Sequence, residues 1–260
     1  MSTSSNFSLK GKVVVYIGGT GGIGIGSCKA FLSRNISNLY VLDRTYNEET
    51  IKCFQEINPS TKLSFLPLDI TKNDEISRCL EQVICEAHYI DVLVNGAGIC
   101  DERDVEKEIA INLTGPIQTT IKAFKLMNRN KKGRGGVIVN ISSIAGLKPF
   151  EAKAVYCATK HGLNFKITAD FYFKKTGITV LCVCPGLTTS PMTSKDVVTK
   201  GTFPYSAEIT TDVLKEKPQT VDEMGEMLVK IVEINKNGSI WLCRIGTMEE
   251  IFLGMYEEPE

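Results

Sequence analysis

Seven short runs of apolar, β-branched-rich sequence recur along the chain, about every 25 residues in its first half, and helix-length segments separate them. They are Lys12–Gly18 (KVVVYIG), Leu39–Asp43 (LYVLD), Leu63–Asp69 (LSFLPLD), Asp91–Asn95 (DVLVN), Gly136–Ser142 (GVIVNIS), Thr179–Cys184 (TVLCVC) and Ser239–Arg244 (SIWLCR). A strand that is apolar at every position, not at alternate ones, is covered on both faces, and intervening helices supply the cover. The pattern predicts an α/β fold built on one doubly wound parallel sheet of about seven strands with helices on both faces. The expected helices follow the first run and span Glu48–Ile57, Asp74–Ala87, Asp104–Asn128, Val155–Lys175 and Val221–Ile234. No linker or shift of composition divides the chain, so one domain over 1–260 is expected. The stretch 187–206, rich in Thr, Ser, Lys and Pro and directly after a strand, reads as a loop over a ligand.

Charge and cysteine usage narrow the function. Thirty basic residues balance thirty acidic ones, which leaves no electrostatic footprint for nucleic acid or an anionic membrane. Nine cysteines stand singly with no CxxC pair, and the only histidines are His88 and His161, so neither a zinc site nor a disulfide framework is expected. That usage suits a reducing, cytoplasmic setting. The amino-terminal stretch lacks an apolar h-region, and no run reaches membrane-spanning length.

The turn after the first strand is crowded with glycine at 18, 19, 21, 22, 24 and 26, and Gly19-x-Gly21-x-x-Gly24 meets the dinucleotide fingerprint. A Cβ there would hold the backbone away from a pyrophosphate, whose charge the amides and dipole of the following helix attract. Asp43 ends the second strand 19 residues after Gly24, where a carboxylate takes the adenosine ribose hydroxyls. A carboxylate also repels a 2′-phosphate, which favours NAD over NADP, although Arg44 follows directly. Asp69 reads either as an adenine-edge contact or as a helix cap.

Tyr156 and Lys160 lie four apart on a predicted helix, so phenol and ammonium share one face. The spacing alone is common. Its weight comes from Ser143, 13 residues upstream at a strand end, where open α/β sheets place their ligands. Asn95-Gly96-Ala97-Gly98 and Pro185-Gly186 end two further strands, and Asn112 lies within the predicted helix 104–128.

The glycine turn, NGAG, INLTG, NISS, YCATK and CPGLTT, in this order and spacing, resemble the short-chain dehydrogenase/reductase family over residues 8–250. Within it the chain is most similar to insect-type alcohol dehydrogenases, on YVLDR, EINPS, DVLVNGAGI, VYCATK and NGSIWLCRIGT. It also resembles NAD-dependent 15-hydroxyprostaglandin dehydrogenases, on GGVIVNISSIAGL and VYCATKHG. One departure is Ile17, where the family usually carries a threonine.

The resemblance implies a single Rossmann-like NAD(P)-binding domain, with a substrate loop at about 187–206 and a closing tail at about 246–260. It implies hydride transfer between NAD and an alcohol, secondary by preference, and its ketone or aldehyde. Tyr156 would be the acid/base, Lys160 its activator, Ser143 the holder of substrate oxygen and Asn112 the anchor of a relay water. Gly19, Gly24, Asp43, Asp69, Asn95, Gly96, Pro185 and Thr188 would surround NAD, with Tyr156 and Lys160 also touching it. An ammonium ~5 Å from the phenol is expected to lower its pKa by roughly two units. The pocket is expected to use Ile144, Ala145, Glu151, Leu187, the Thr188–Tyr205 loop and the tail. The helices 104–128 and 155–175 pair between subunits in the family, which implies a homodimer or homotetramer. Two alternatives stay open: the same chemistry on a larger lipid-like alcohol, and a catalytically silent NAD-binding relative.

Overall fold

The computed structural model describes residues 7–164, 169–194, 197, 205–213 and 215–252. Its strands are β1 Val13–Ile17, β2 Asn38–Asp43, β3 Lys62–Pro67, β4 Val92–Asn95, β5 Gly136–Ile141, β6 Ile178–Pro185, β7 Ile240–Arg244 and β8 Thr247–Glu250. They form one sheet in the order β3-β2-β1-β4-β5-β6-β7-β8. β1 to β7 are parallel, and β8 folds back antiparallel on β7. All seven expected strands form; β8 is additional and occupies the start of the expected tail.

The helices are α1 Gly22–Leu32, α2 Glu48–Ile57, α3 Asn73–Ala87, α4 Val105–Ile109, α5 Gly115–Met127, α6 Ala154–Gly162, α7 Ala169–Thr176, α8 Ser206–Val213 and α9 Val221–Ile234. The expected helix 104–128 is broken by a π-helical turn, Ala110–Thr114, between α4 and α5. Residues 165–168 of the expected helix 155–175, most of 195–204 in the expected loop and 253–260 of the tail lie outside the described residues.

Alternation along the buried strands divides the core in two. Val14, Tyr16, Leu39, Val41, Val92, Val94, Val137 and Val139 face α1, α2 and α9 through Phe31, Phe54 and Leu228. Val13, Val15, Ile17, Tyr40, Leu42, Leu93 and Ile138 face α3 and α5 through Ile76, Leu80 and Ala123. α1 and α9 touch backbone to backbone: a Cβ on Gly26 would lie 1.9 Å from the Val221 carbonyl oxygen. Chain direction from β1 runs outward to β2 and then crosses to β4, so the sheet's topological switch lies between β1 and β4. That is where such a sheet opens a crevice at its strand ends.

Candidate active site

A crevice of about 620 Å³ lies at this switch, with Gly18, Gly21, Asp43, Asp69, Gly96 and Gly98 among its walls. Gly18 takes a left-handed φ of 84°, and a Cβ there would meet the Ala97 nitrogen at 2.6 Å. A Cβ on Gly24 would lie 2.1 Å from the Gly18 carbonyl oxygen. At Gly19 the neighbouring space is filled by Val41 and Cys28, so this glycine serves strand packing. The N-cap of α1 is Gly21, which gives no side-chain cap, and the helix's first turn carries no acid. Its leading amides and dipole are left to an anion, so the cradle fits a dinucleotide pyrophosphate.

Asp43 stands on the same crevice, its carboxylate accepting from the Arg44 amide at 2.7 Å and the Thr20 amide at 3.1 Å. Asp69 closes a turn by accepting from the Thr71 amide and hydroxyl at 2.9 and 2.7 Å. Those bonds hold its pKa below the usual carboxylate value, Thr71 first. The N-cap position of α3 is Lys72, so the cap reading of Asp69 is not realised on that helix. Asn95 is buried and spent on the fold. Its amide nitrogen donates to Asn140 Oδ1 at 2.8 Å and Thr120 Oγ1 at 3.0 Å, and its carbonyl accepts from Thr119 Oγ1 at 2.6 Å. Only the backbone at Asn95 and Gly96 remains for the crevice, and the Gly96 amide is itself bonded to the Ile17 carbonyl at 2.9 Å. Ile17 is buried beneath α3 and α5, and main-chain bonds brace the turn without a threonine hydroxyl.

The catalytic candidates converge beside this crevice. Ser143 follows β5 and accepts from the Ala145 amide at 3.1 Å, which fixes its hydroxyl, and it shares a cavity wall with Tyr156. Lys160 Nζ lies 5.5 Å from the centroid of the Tyr156 ring, one helical turn along α6, and donates to the Ile141 carbonyl at 3.1 Å. Asn112 occupies the π-helical turn. Its amide bridges the Ile99 backbone in both directions at 2.8 Å and donates to Thr159 Oγ1 at 3.3 Å. A π-turn disturbs the regular carbonyl ladder, and such turns recur at functional sites.

Burial dominates the electrostatics. The Lys160 ammonium is pushed down to about 8 by desolvation, against the pull of Cys182 and Cys184. The Tyr156 phenol is pushed up, first by burial and then by Cys100, while the Ser143 hydrogen bond lowers it. The expected depression by Lys160 is therefore not present in the protein alone: desolvation of a phenolate outweighs an ammonium that is itself half discharged near pH 8.

A second cavity, of about 500 Å³, adjoins the crevice through Ile23, Cys100, Ser190 and Met192. Ser143 and Tyr156 stand in its wall with Ile144, Ala145, Phe150 and Leu187. Glu151, expected there, is exposed and is not among the described wall residues. The loop after Pro185 and the β7–β8 hairpin complete the enclosure, and one side chain joins them. Gln219 donates to Thr188 Oγ1 at 3.0 Å and the Cys243 carbonyl at 3.1 Å, and accepts from the Ile245 amide at 2.9 Å. The Thr188 hydroxyl is thus already engaged, also donating to the Gly186 carbonyl at 3.0 Å. His161 bonds the Cys157 carbonyl and His88 ends α3 in a left-handed conformation, so both histidines serve structure.

Sequence reasoning passes over Gln219, Thr20 and three buried charged residues beside the site: Glu102, Glu108 and Lys153. Glu102 accepts from the Tyr156 amide at 3.0 Å, a carboxylate at the amino end of α6. Only the helical spacing of Glu108 before Asn112 could have signalled one of them. Among the described residues no helix is long and apolar enough to cross a membrane.

Residues 12–200 match the family model described as short chain dehydrogenase. The chain is 43% identical to Alcohol dehydrogenase 1 of Ceratitis cosyra, over 97% of this chain and 99% of that one. It is 36% identical to the Development-specific 25 kDa protein of Sarcophaga peregrina, over 94% of this chain and 97% of that one. The fold matches the crystal structure of levodione reductase with a TM-score of 0.78 at 18% identity, covering 92% of this chain and 97% of that one. With the crevice, the Ser143, Tyr156 and Lys160 cluster and the strand order all in place, the chain belongs to the short-chain dehydrogenase family.

Proposed function

We propose that the protein is an NAD-dependent alcohol dehydrogenase that interconverts a secondary alcohol and its ketone. The observation that carries this reading is that Ser143 and Tyr156 share the wall where an apolar cavity meets a dinucleotide crevice, with Lys160 Nζ over the Tyr156 ring. The similarity to fly proteins named alcohol dehydrogenase supports the substrate class. Asp43 supports NAD over NADP, since a 2′-phosphate at its carboxylate would meet like charge in a partly desolvated crevice.

In oxidation Ser143 Oγ orients the alcohol oxygen and Tyr156 Oη takes its proton as hydride leaves the carbinol carbon. When bound, the nicotinamide supplies the hydride acceptor and a positive charge that opposes the burial of the phenolate. Lys160 steadies the phenolate side, and the Asn112 π-turn anchors water that carries the proton outward. In this reading Gly24, Gly96, Asp69, Pro185 and Thr188 shape the cofactor site through their backbone and turns. The apolar residues Ile109, Ile121, Phe171, Tyr172 and Phe173, exposed on α4, α5 and α7, support a homodimer. The unpaired thiols of the described cysteines support a reducing, cytoplasmic setting.

The test follows NADH formation with NAD⁺ or NADP⁺ over secondary alcohols of increasing length. Turnover with NAD⁺ that Tyr156→Phe lowers by about 100-fold or more is expected. Undiminished turnover in Tyr156→Phe refutes the mechanism, and NAD⁺ binding with no turnover on any alcohol favours a silent relative. The length series separates small from lipid-like substrates, each buried methylene contributing about 0.8 kcal/mol.

A further inference from the structure

One carboxyl group beside the site has no part in the steps above. Glu108, on α4 one turn before Asn112, is 0% exposed. Its Oε1 accepts from the Asn112 amide at 3.4 Å, while Oε2 is sealed from solvent with no hydrogen-bond partner among the described residues. An ionised carboxylate in that state is costly, so its charge must respond to its neighbours and act on them. Those neighbours come from every element packed there: Cys100, Asp101 and Glu102 from the segment before α4, Lys153 from the segment before α6, and Tyr156 and Lys160 from α6.

We propose that Glu108 is a positioning residue of the alcohol site, holding the Asn112 turn and setting the basicity of Tyr156 through its charge. Burial first, then the nearby Glu102, push its carboxyl up to about 7, with Lys153 and Lys160 pulling the other way. The influence is mutual, because anionic Glu108 raises both the Tyr156 phenol and the Lys160 ammonium. As pH rises through neutrality, Glu108 gains charge and the phenol becomes harder to ionise. The acid limb of alcohol oxidation is then spread beyond a one-proton curve, as expected of coupled groups.

Glu108→Gln keeps the shape and removes the charge. The limb should narrow to one proton and its midpoint move to lower pH by roughly one unit. A second readout needs neither cofactor nor turnover. A carboxyl held at about 7 in the folded state, against its ordinary 4.5, stabilises fully below 4.5 and loses that contribution as pH rises through about 7. The Tm of the unsubstituted protein should therefore fall relative to Glu108→Gln between about pH 5 and pH 8. An active Glu108→Gln enzyme with an unmoved midpoint, or parallel Tm curves, overturns the proposal. If the variant does not fold, carboxyl-¹³C-glutamate spectra of the unsubstituted protein decide. One glutamate titrating near neutrality is expected, and midpoints all below about pH 5.5 overturn it. The proposal rests on Tyr156 as acid/base; full turnover in Tyr156→Phe removes that premise, whereas an unmoved Glu108→Gln midpoint removes only Glu108's role.

Discussion

Asn95→Ala separates two roles that the strand-end motif leaves mixed, holding the cofactor and holding the fold. The side chain joins β4 to β5 through Asn140 and to α5 through Thr119 and Thr120, all inside the protein. Three well-made bonds, of 2.6 to 3.0 Å, are lost on truncation, at about 1 kcal/mol each. Thr119 keeps its bonds to the Gly115 and Pro116 carbonyls, but Asn140 Oδ1 retains only a 3.5 Å contact with Thr120. Leaving that oxygen nearly unpaired adds about 1 kcal/mol, for a total of about 4 kcal/mol. For a chain of this size the loss lowers Tm by roughly 8 to 16 °C. Thermal unfolding by circular dichroism measures the loss. Below the transition, KM for the cofactor should stay within about threefold of its original value, since no side-chain contact with the crevice is lost. A Tm change under about 3 °C, or a large rise in cofactor KM with full stability, refutes the reasoning.

Replacing Asp43 by Asn removes the like charge facing a 2′-phosphate, and the NADP⁺/NAD⁺ ratio of kcat/KM should rise about 10- to 100-fold, read from initial rates with each cofactor. Gly26→Ala drives a methyl into the Val221 carbonyl of α9, and a cost of about 1 to 3 kcal/mol is expected in urea unfolding. The folded-state pKa of Lys160, about 8, lies below its ordinary 10.5, so the cost of burying its ammonium is full below pH 8. That cost is relieved as pH climbs from 8 toward 10.5, and the protein should gain stability relative to Lys160→Met over that window.

The inner parallel strands were legible because β1, β4, β5 and β6 are buried along nearly their whole length and are therefore largely apolar. β8 was not, for two physical reasons. Its sequence, TMEE, alternates with charge at a sheet edge, and the two-residue turn before it is Ile245-Gly246, both at positive φ (46° and 74°). That turn is normally announced by Asn-Gly, and a β-branched residue gives no such signal. The residues that meet around Tyr156 were legible from motif and spacing. What Asn95 does was not, because a motif reports position at a strand end and not which way the amide turns. Nor were Glu102, Glu108 and Lys153 legible: charged residues normally face water, and only tertiary packing buries these three.

The Gln219 amide gives the cavity an unusual mechanical economy. Two chain segments far apart in sequence, the loop carrying Thr188 and the hairpin carrying Ile245, are tied by one side chain beside their main-chain bonds. Changes at Leu187 or Thr247 would recontour the lining while the frame keeps its spacing. Loss of the amide would remove the side-chain tie between the two sides and leave only the main-chain bonds of residue 219 to Leu187 and Thr189 and of Gly186 to Cys243. Divergence of substrate range in such a pocket can therefore proceed residue by residue along its lining, provided position 219 is left alone.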